Sequence, residues 1–128
     1  MAVSMLVWRD CACSRNILFD EAILGDWVTQ TYYADSSAEV EKALEQGKVD
    51  ILLFASSKDP DRMAQDLAEL AHRHGTIYAP VLAIAETATD QQIERLFREG
   101  VECVLFAPVS TDVLTLELAR TLGVEEVG

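Results

Sequence analysis

Few residues in this 128-residue chain combine a reactive side chain with a setting in which it could react. Ser56 and Ser57 directly follow the apolar run from Ile51 to Ala55, where a buried strand is expected to end. A serine hydroxyl becomes a useful nucleophile only when a neighbouring base takes its proton, and the sequence offers no recognisable base nearby. We therefore expect no enzyme activity.

Cysteines and histidines form two short clusters that look like fragments of metal sites. Cys11 and Cys13 are one residue apart, as are His72 and His74. Zinc takes four ligands, and neither pair has further ligands close to it in the sequence. The histidines fall in the last turn of a predicted helix, where cationic side chains complement the helix dipole. We expect no metal and no cofactor, and we expect Cys103 to be a small buried apolar residue.

Composition excludes several classes of function. The 22 acidic and 10 basic residues give a formal net charge of −12, which repels nucleic acid and anionic lipid. No apolar run approaches the roughly 20 residues that cross a bilayer, and the N-terminus lacks the features of a signal peptide. Three cysteines without a framework spacing fit a reducing compartment. We expect a cytoplasmic protein that binds neither nucleic acid nor membranes.

Strands and helices alternate along the chain. The run from Ile51 to Ala55 has no polar break, which is typical of a strand covered by helices on both faces. The predicted strands are 5–8, 27–33, 51–55, 79–85 and 101–107. The predicted helices are 14–25, 36–47, 59–75, 89–100 and 111–122. This alternation predicts an α/β domain with a doubly wound, parallel five-stranded sheet and five helices on its two faces, spanning residues 1–122. Residues 123–128 would be an acidic tail or the start of a linker.

Two helix starts have the pattern of a capping box, in which the first residue and the residue three positions later cap each other. Ser36 and Glu39 form one candidate pair, and Thr89 and Gln92 form the other. In each pair the hydroxyl accepts from the later backbone N–H, while the later side chain accepts from the earlier N–H. Both pairs predict where a helix begins.

Local features in this order resemble the receiver domain of bacterial response regulators, a flavodoxin-like fold with strand order 2-1-3-4-5. The resemblance covers about residues 4 to 122. Its features are Gly47-x-Val49-Asp50 before the third strand, Ala79-Pro80-Val81 at the fourth, Glu99-Gly100-Val101 before the fifth and Ala107-Pro108 after it.

The resemblance also implies where phosphorylation chemistry would lie. A working receiver holds Mg²⁺ with two acids after the first strand and carries a phosphoacceptor aspartate at the end of the third. A hydroxyl residue ends its fourth strand and a lysine ends its fifth. These positions fall on Arg9 and Asp10, on Ala55, on Ala85 and on Ala107. Only Asp10 keeps the expected chemistry, so we predict a degenerate receiver that is not phosphorylated by the usual route.

Receivers signal through the face formed by the helix before the fifth strand, that strand and the last helix, often as dimers. The resemblance therefore implies a protein partner or a second copy of the chain on this face. The candidate interface residues are Ile93, Phe97, Val113, Leu116 and Glu117. The apolar face of the last helix is wider than one docking surface needs, which favours an interface. Core packing of the same residues is the alternative.

A second hypothesis assigns a ligand to the vacated crevice. Crevices at strand ends bind ligands in this topology, and small alanine side chains would leave space there. The possible lining residues are Asp10, Ser56, Ser57, Glu86 and Thr87. No glycine-rich phosphate loop is present, so nucleotides are not specifically indicated.

Overall fold

The computed structural model describes residues 3–9, 28–47, 49–56, 59–74, 79–106 and 111–123. Its strands are β1 (Val3–Arg9), β2 (Val28–Ala34), β3 (Ile51–Ala55), β4 (Val81–Ala85) and β5 (Val101–Phe106). Its helices are α1 (Ser37–Glu45), α2 (Pro60–His74), α3 (Asp90–Arg98) and α4 (Thr111–Leu122). The helix predicted over 14–25 lies outside the described residues, as does the tail beyond residue 123. Within the described ranges, no helix is long and apolar enough to cross a membrane.

The five strands form one parallel sheet in the order β2-β1-β3-β4-β5. This arrangement confirms the predicted doubly wound, flavodoxin-like fold. The central strand β3 is buried along its whole length, as its unbroken apolar run predicts. Burial on both faces requires helices on both sides of the sheet.

Two apolar layers lie on the two faces of the sheet. On one face, α1, α2 and α3 contribute Val40, Met63, Leu67 and Leu96, which pack on alternate strand residues such as Phe54. The opposite face carries the other strand residues, and α4 packs there. The residues of this second layer include Met5, Val7, Leu53, Ile84, Leu114 and Leu118. Alternation along each strand thus sends neighbouring side chains to different helices.

The last helix buries only part of its apolar surface. Leu114 and Leu118 have no exposed area, whereas Val113 and Leu116 are 46% and 43% exposed. Core packing therefore does not account for Val113 and Leu116. The apolar positions of α4 extend beyond the side that packs on the sheet, so Val113 and Leu116 lie partly in solvent.

Both predicted helix caps are present, with one difference. Thr89 and Gln92 form a complete capping box at the start of α3. At α1 the Ser36 hydroxyl accepts from the Glu39 N–H at 3.3 Å, but the Glu39 carboxylate accepts from Asp35 at 2.8 Å rather than from Ser36. The acid therefore caps one residue earlier than the capping-box pattern predicts.

Candidate functional site

The carboxyl ends of the strands bring together three of the five predicted pocket positions. Arg9 at the end of β1 is the Cα partner of Ala55 at the end of β3. Ala55 in turn pairs with Ile84, and Ala85 pairs with Phe106. Parallel strands make this edge the usual place for a ligand or reactive group. The other two positions, Asp10 and Ala107, lie outside the described residues.

At the described part of this edge, two positions that the receiver resemblance predicts to be reactive sites, Ala55 and Ala85, carry only methyl groups. Ala55 and Ala85 are 2% and 0% exposed, so both are part of the core. A methyl group neither accepts a phosphoryl group nor binds a metal. No cluster of three or more histidine, cysteine or acidic side chains suitable for a metal ion occurs in the ranges that the structure describes.

The structure separates the predicted ligand-crevice residues by exposure. Ser56 is completely buried, and its backbone N–H donates to the Ile84 carbonyl at 3.1 Å. Glu86 and Thr87, just beyond β4, are exposed. The hydroxyl of Ser56 is therefore closed off from solvent, while the side chains of Glu86 and Thr87 are open to it. Asp10 and Ser57 lie outside the described residues.

Large apolar side chains are exposed on three consecutive elements at the β5 edge of the sheet. Phe97 on α3 is 47% exposed, and Phe106 on the edge strand β5 is 44% exposed. We call these two residues, together with Val113 and Leu116 on α4, the apolar face; α3 and α4 lie on opposite sides of the sheet, and β5 is the edge strand between them. Among the large hydrophobic residues that the structure describes, only Tyr32 and Tyr33 on β2, at the opposite edge, are also markedly exposed.

The apolar face includes three of the five predicted interface residues and one that sequence reasoning missed. The other two predicted residues, Ile93 and Glu117, are half-buried. Phe106 was missed because the run from Val101 to Phe106 looked like another buried strand. The strand order places β5 at an edge, as the resemblance implies, and its last residue has neighbours on fewer sides there.

Glu117 links the last helix to β5. Its carboxylate accepts from the Cys103 thiol at 3.5 Å and from Arg120 at 3.2 Å. Burial, and after it the charge and hydrogen bond of Glu117, raise the pKa of the Cys103 thiol from its ordinary 9.0 to about 11. Arg120 opposes the increase. Cys103 is therefore a protonated hydrogen-bond donor near neutral pH, not a reactive thiolate.

A polar network joins the N-terminal ends of α2 and α3. The Gln92 side-chain Nε2 donates to Asp59 Oδ1 at 2.9 Å and to Asp61 Oδ2 at 3.2 Å. Arg95 donates to the other oxygen of Asp61 at 3.4 Å. An open cleft of about 460 Å³ lies beside this network, lined by Asp61, Thr89, Gln91, Gln92, Glu94, Arg95 and Arg98. The sequence marked Gln92 as part of a helix cap, but no local pattern indicated that it meets Asp59 and Asp61.

No protein-family model matches the chain, and no curated protein matches it. Solved structures do match. A two-component response regulator from Clostridium difficile is 15% identical with a TM-score of 0.69, over 94% of this chain and 96% of that one. A pilus assembly-related protein from Burkholderia pseudomallei is 17% identical with a TM-score of 0.70, over 97% and 92%. A pilus assembly protein from Burkholderia thailandensis is 18% identical with a TM-score of 0.66, over 94% and 98%. Strand order and these likenesses together give the chain the fold of a response-regulator receiver domain.

Proposed function

We propose that this chain is a degenerate receiver that acts as a cytoplasmic protein-interaction module in bacterial regulation, without phosphorylation and without enzyme activity. Its partner is a second copy of the chain, bound through the apolar face. The observation that carries the proposal is the exposure of Phe97, Phe106, Val113 and Leu116 on three consecutive elements. Exposed large apolar side chains that form one patch are a feature of protein interfaces.

The strand edge supports independence from phosphorylation. Ala55 stands where the receiver resemblance places the phosphoacceptor, and Ala85 stands where it places the hydroxyl. Arg9 occupies a position where a receiver has a magnesium-binding acid, and its Cα pairs with Ala55. An arginine is positively charged and supplies no oxygen ligand for a divalent cation. The interface must then be controlled by concentration or by another partner.

Self-association is the simplest use of the apolar face because a two-fold dimer needs only one self-complementary patch. Aromatic residues such as Phe97 and Phe106 are enriched at protein interfaces. Two matching Burkholderia structures are described as a pilus assembly-related protein and a pilus assembly protein. If this chain works in a similar assembly, a different protein partner would bind the same apolar face.

Size-exclusion chromatography with light scattering tests the dimer directly. The wild type should approach twice the monomer mass of 14.1 kDa as concentration rises, whereas Phe97→Ser and Leu116→Asp should remain monomeric. Tyr33→Ser is the matched control, because Tyr33 is similarly exposed but lies on the opposite edge strand. A wild type that stays monomeric at every concentration contradicts self-association, and a dimer unaffected by either substitution contradicts the assigned interface.

Amide NMR spectra test the absence of phosphorylation. Mg²⁺ with beryllofluoride mimics a phosphorylated aspartate, and we expect no shifts around Ala55 or Ala85 beyond those with Mg²⁺ alone. Clustered shifts there would overturn the phosphorylation-independent proposal.

The second candidate function, a small-ligand sensor, rests on the exposed Glu86 and Thr87 at the strand edge. A panel of metabolites and nucleotides in the same NMR experiment distinguishes it. Saturable shifts at Glu86 and Thr87 would favour the sensor. Their absence leaves the interaction module as the proposal.

A further inference from the structure

Gln92 uses both ends of its side-chain amide, and in doing so it joins the starts of two helices. Its Oε1 accepts from the Thr89 N–H at 2.9 Å, within the capping box of α3. Its Nε2 donates to Asp59 Oδ1 at 2.9 Å and to Asp61 Oδ2 at 3.2 Å, both at the start of α2. One side chain therefore caps its own helix and reaches a helix about thirty positions earlier in the chain.

The surrounding groups allow only one orientation of this amide. An amide has one acceptor end and one end with two donors. Rotating it by half a turn would direct Oε1 at two carboxylates and Nε2 at a backbone N–H, so every contact would become repulsive. The observed orientation matches donor to acceptor in all three contacts. The Gln92 side chain is thus held both by the start of its own helix and by the start of α2.

The contact also offsets an electrostatic cost. Asp59 caps α2, since its carboxylate accepts from the Asp61 N–H at 2.9 Å, and this brings two carboxylates to the same helix end. Like charges so close together repel. The two N–H groups of Gln92 lie against both carboxylates, and Arg95 adds a positive charge at 3.4 Å from Asp61. The α2 terminus is therefore stabilised by groups that α3 supplies.

We propose that Gln92 is an interhelical clamp that fixes the N-terminal ends of α2 and α3 to each other. The clamp couples the start of α2 to the start of α3, so these two helix ends move as one unit. It also holds α3, and with it Phe97, in one position relative to α2. This second consequence rests on the proposed function: the apolar face would be preset, with no event at the strand edge needed to form it.

Gln92→Glu separates the clamp from the cap. A carboxylate at position 92 can still accept from the Thr89 N–H, as glutamate does in a capping box. It cannot donate to Asp59 and Asp61, and it adds a third negative charge beside them. The measurement is amide exchange by NMR, with Arg62 and Met63 reporting on α2, because their N–H groups donate to the Asp59 carbonyl. Ile93, which donates to the Thr89 carbonyl, reports on α3.

The clamp predicts exchange that is roughly two- to tenfold faster at Arg62 and Met63, with a smaller change at Ile93. Unchanged exchange at Arg62 and Met63 overturns the clamp, because a pure cap would affect α3 alone. Asp61→Asn added to Gln92→Glu restores one donor–acceptor pair, while the contact with Asp59 stays repulsive, so the α2 exchange should return part of the way to the wild-type rate. Failure of this rescue would also count against the clamp.

A reciprocal variant and a second readout keep the clamp distinct from the dimer. Asp61→Ala removes an acceptor on α2 and should speed exchange at Ile93 on α3. The α2 and α3 exchange rates are measured at low concentration, so their response does not depend on self-association. Loss of the dimer in Leu116→Asp with no effect of Gln92→Glu on α2 would refute the clamp alone. The opposite result would refute the dimer alone.

Discussion

Trp8 and Phe54 stack face to face, with ring centroids 4.1 Å apart and ring planes 6° from parallel. They are Cα partners on β1 and β3, and each immediately precedes a position at the strand edge, Arg9 and Ala55 respectively. Both rings are buried in the layer that packs under α1, α2 and α3. This stacked pair lies directly below the carboxyl ends of β1 and β3.

Removing one ring of this pair should destabilise the domain strongly. Phe54→Ala deletes a side chain that is 2% exposed, and such deletions cost about 3–5 kcal/mol through lost burial and the cavity left behind. Phe97→Ala is the matched control, because Phe97 is 47% exposed and the same change should cost less than about 1 kcal/mol. Urea unfolding followed by circular dichroism, at concentrations where the protein is monomeric, compares the two. Equal losses would contradict the assigned burial.

The sequence predicted the parts of the fold that depend on local pattern. The unbroken run of β3 and the Thr89–Gln92 capping box are properties of neighbouring residues, and both are present. The strand order followed from the resemblance to receivers, since periodicity does not specify which strands are adjacent. Contacts between distant segments, such as Gln92 with Asp59, leave no periodic signal and were not predicted.

The Cys103 thiol should react slowly with alkylating reagents. A pKa of about 11, against an ordinary 9.0, leaves roughly a hundredfold less thiolate at pH 8. Glu117→Gln removes the negative charge that contributes to the shift, so the pKa should fall and alkylation should accelerate. Iodoacetamide labelling in a Cys11→Ser, Cys13→Ser background, followed by mass spectrometry, measures the rate. Alkylation of that background as fast as a free cysteine would contradict the raised pKa.

The same shift predicts a loss of stability at alkaline pH. Because the folded pKa of Cys103 is raised, the unfolded chain releases its thiol proton first as pH increases above 9. The contribution to stability is full below about pH 9 and is lost as pH rises towards 11. Urea unfolding at pH 8 and pH 10 should therefore show a larger decrease for the wild type than for Cys103→Ala. Parallel decreases in the two proteins would argue against the assignment.

Exposure was harder to predict than element position. Leu114 and Leu116 are both leucines in one helix, yet the first has no exposed area and the second is 43% exposed. The sequence left core packing and an interface as alternatives for this helix because its apolar positions exceed one face. Only the direction in which α4 meets the sheet distinguishes them. Exposure was also unpredictable for Ser56: the sequence analysis placed it in a crevice, whereas the structure buries it completely.

Salt should strengthen self-association if the apolar face binds a second copy. Each chain carries a formal charge of −12, so two copies repel, and this repulsion is screened as the Debye length falls from about 10 Å at 0.1 M salt towards 3 Å at 1 M. Apolar contacts themselves are not weakened by screening. The dimer dissociation constant, measured by sedimentation at 50 mM and 500 mM NaCl, should therefore decrease at the higher salt. A basic protein partner would respond in the opposite way, because salt screens an attraction between unlike charges. Self-association that weakens with salt would mean that ion pairs, rather than Phe97 and Leu116, hold the two copies together.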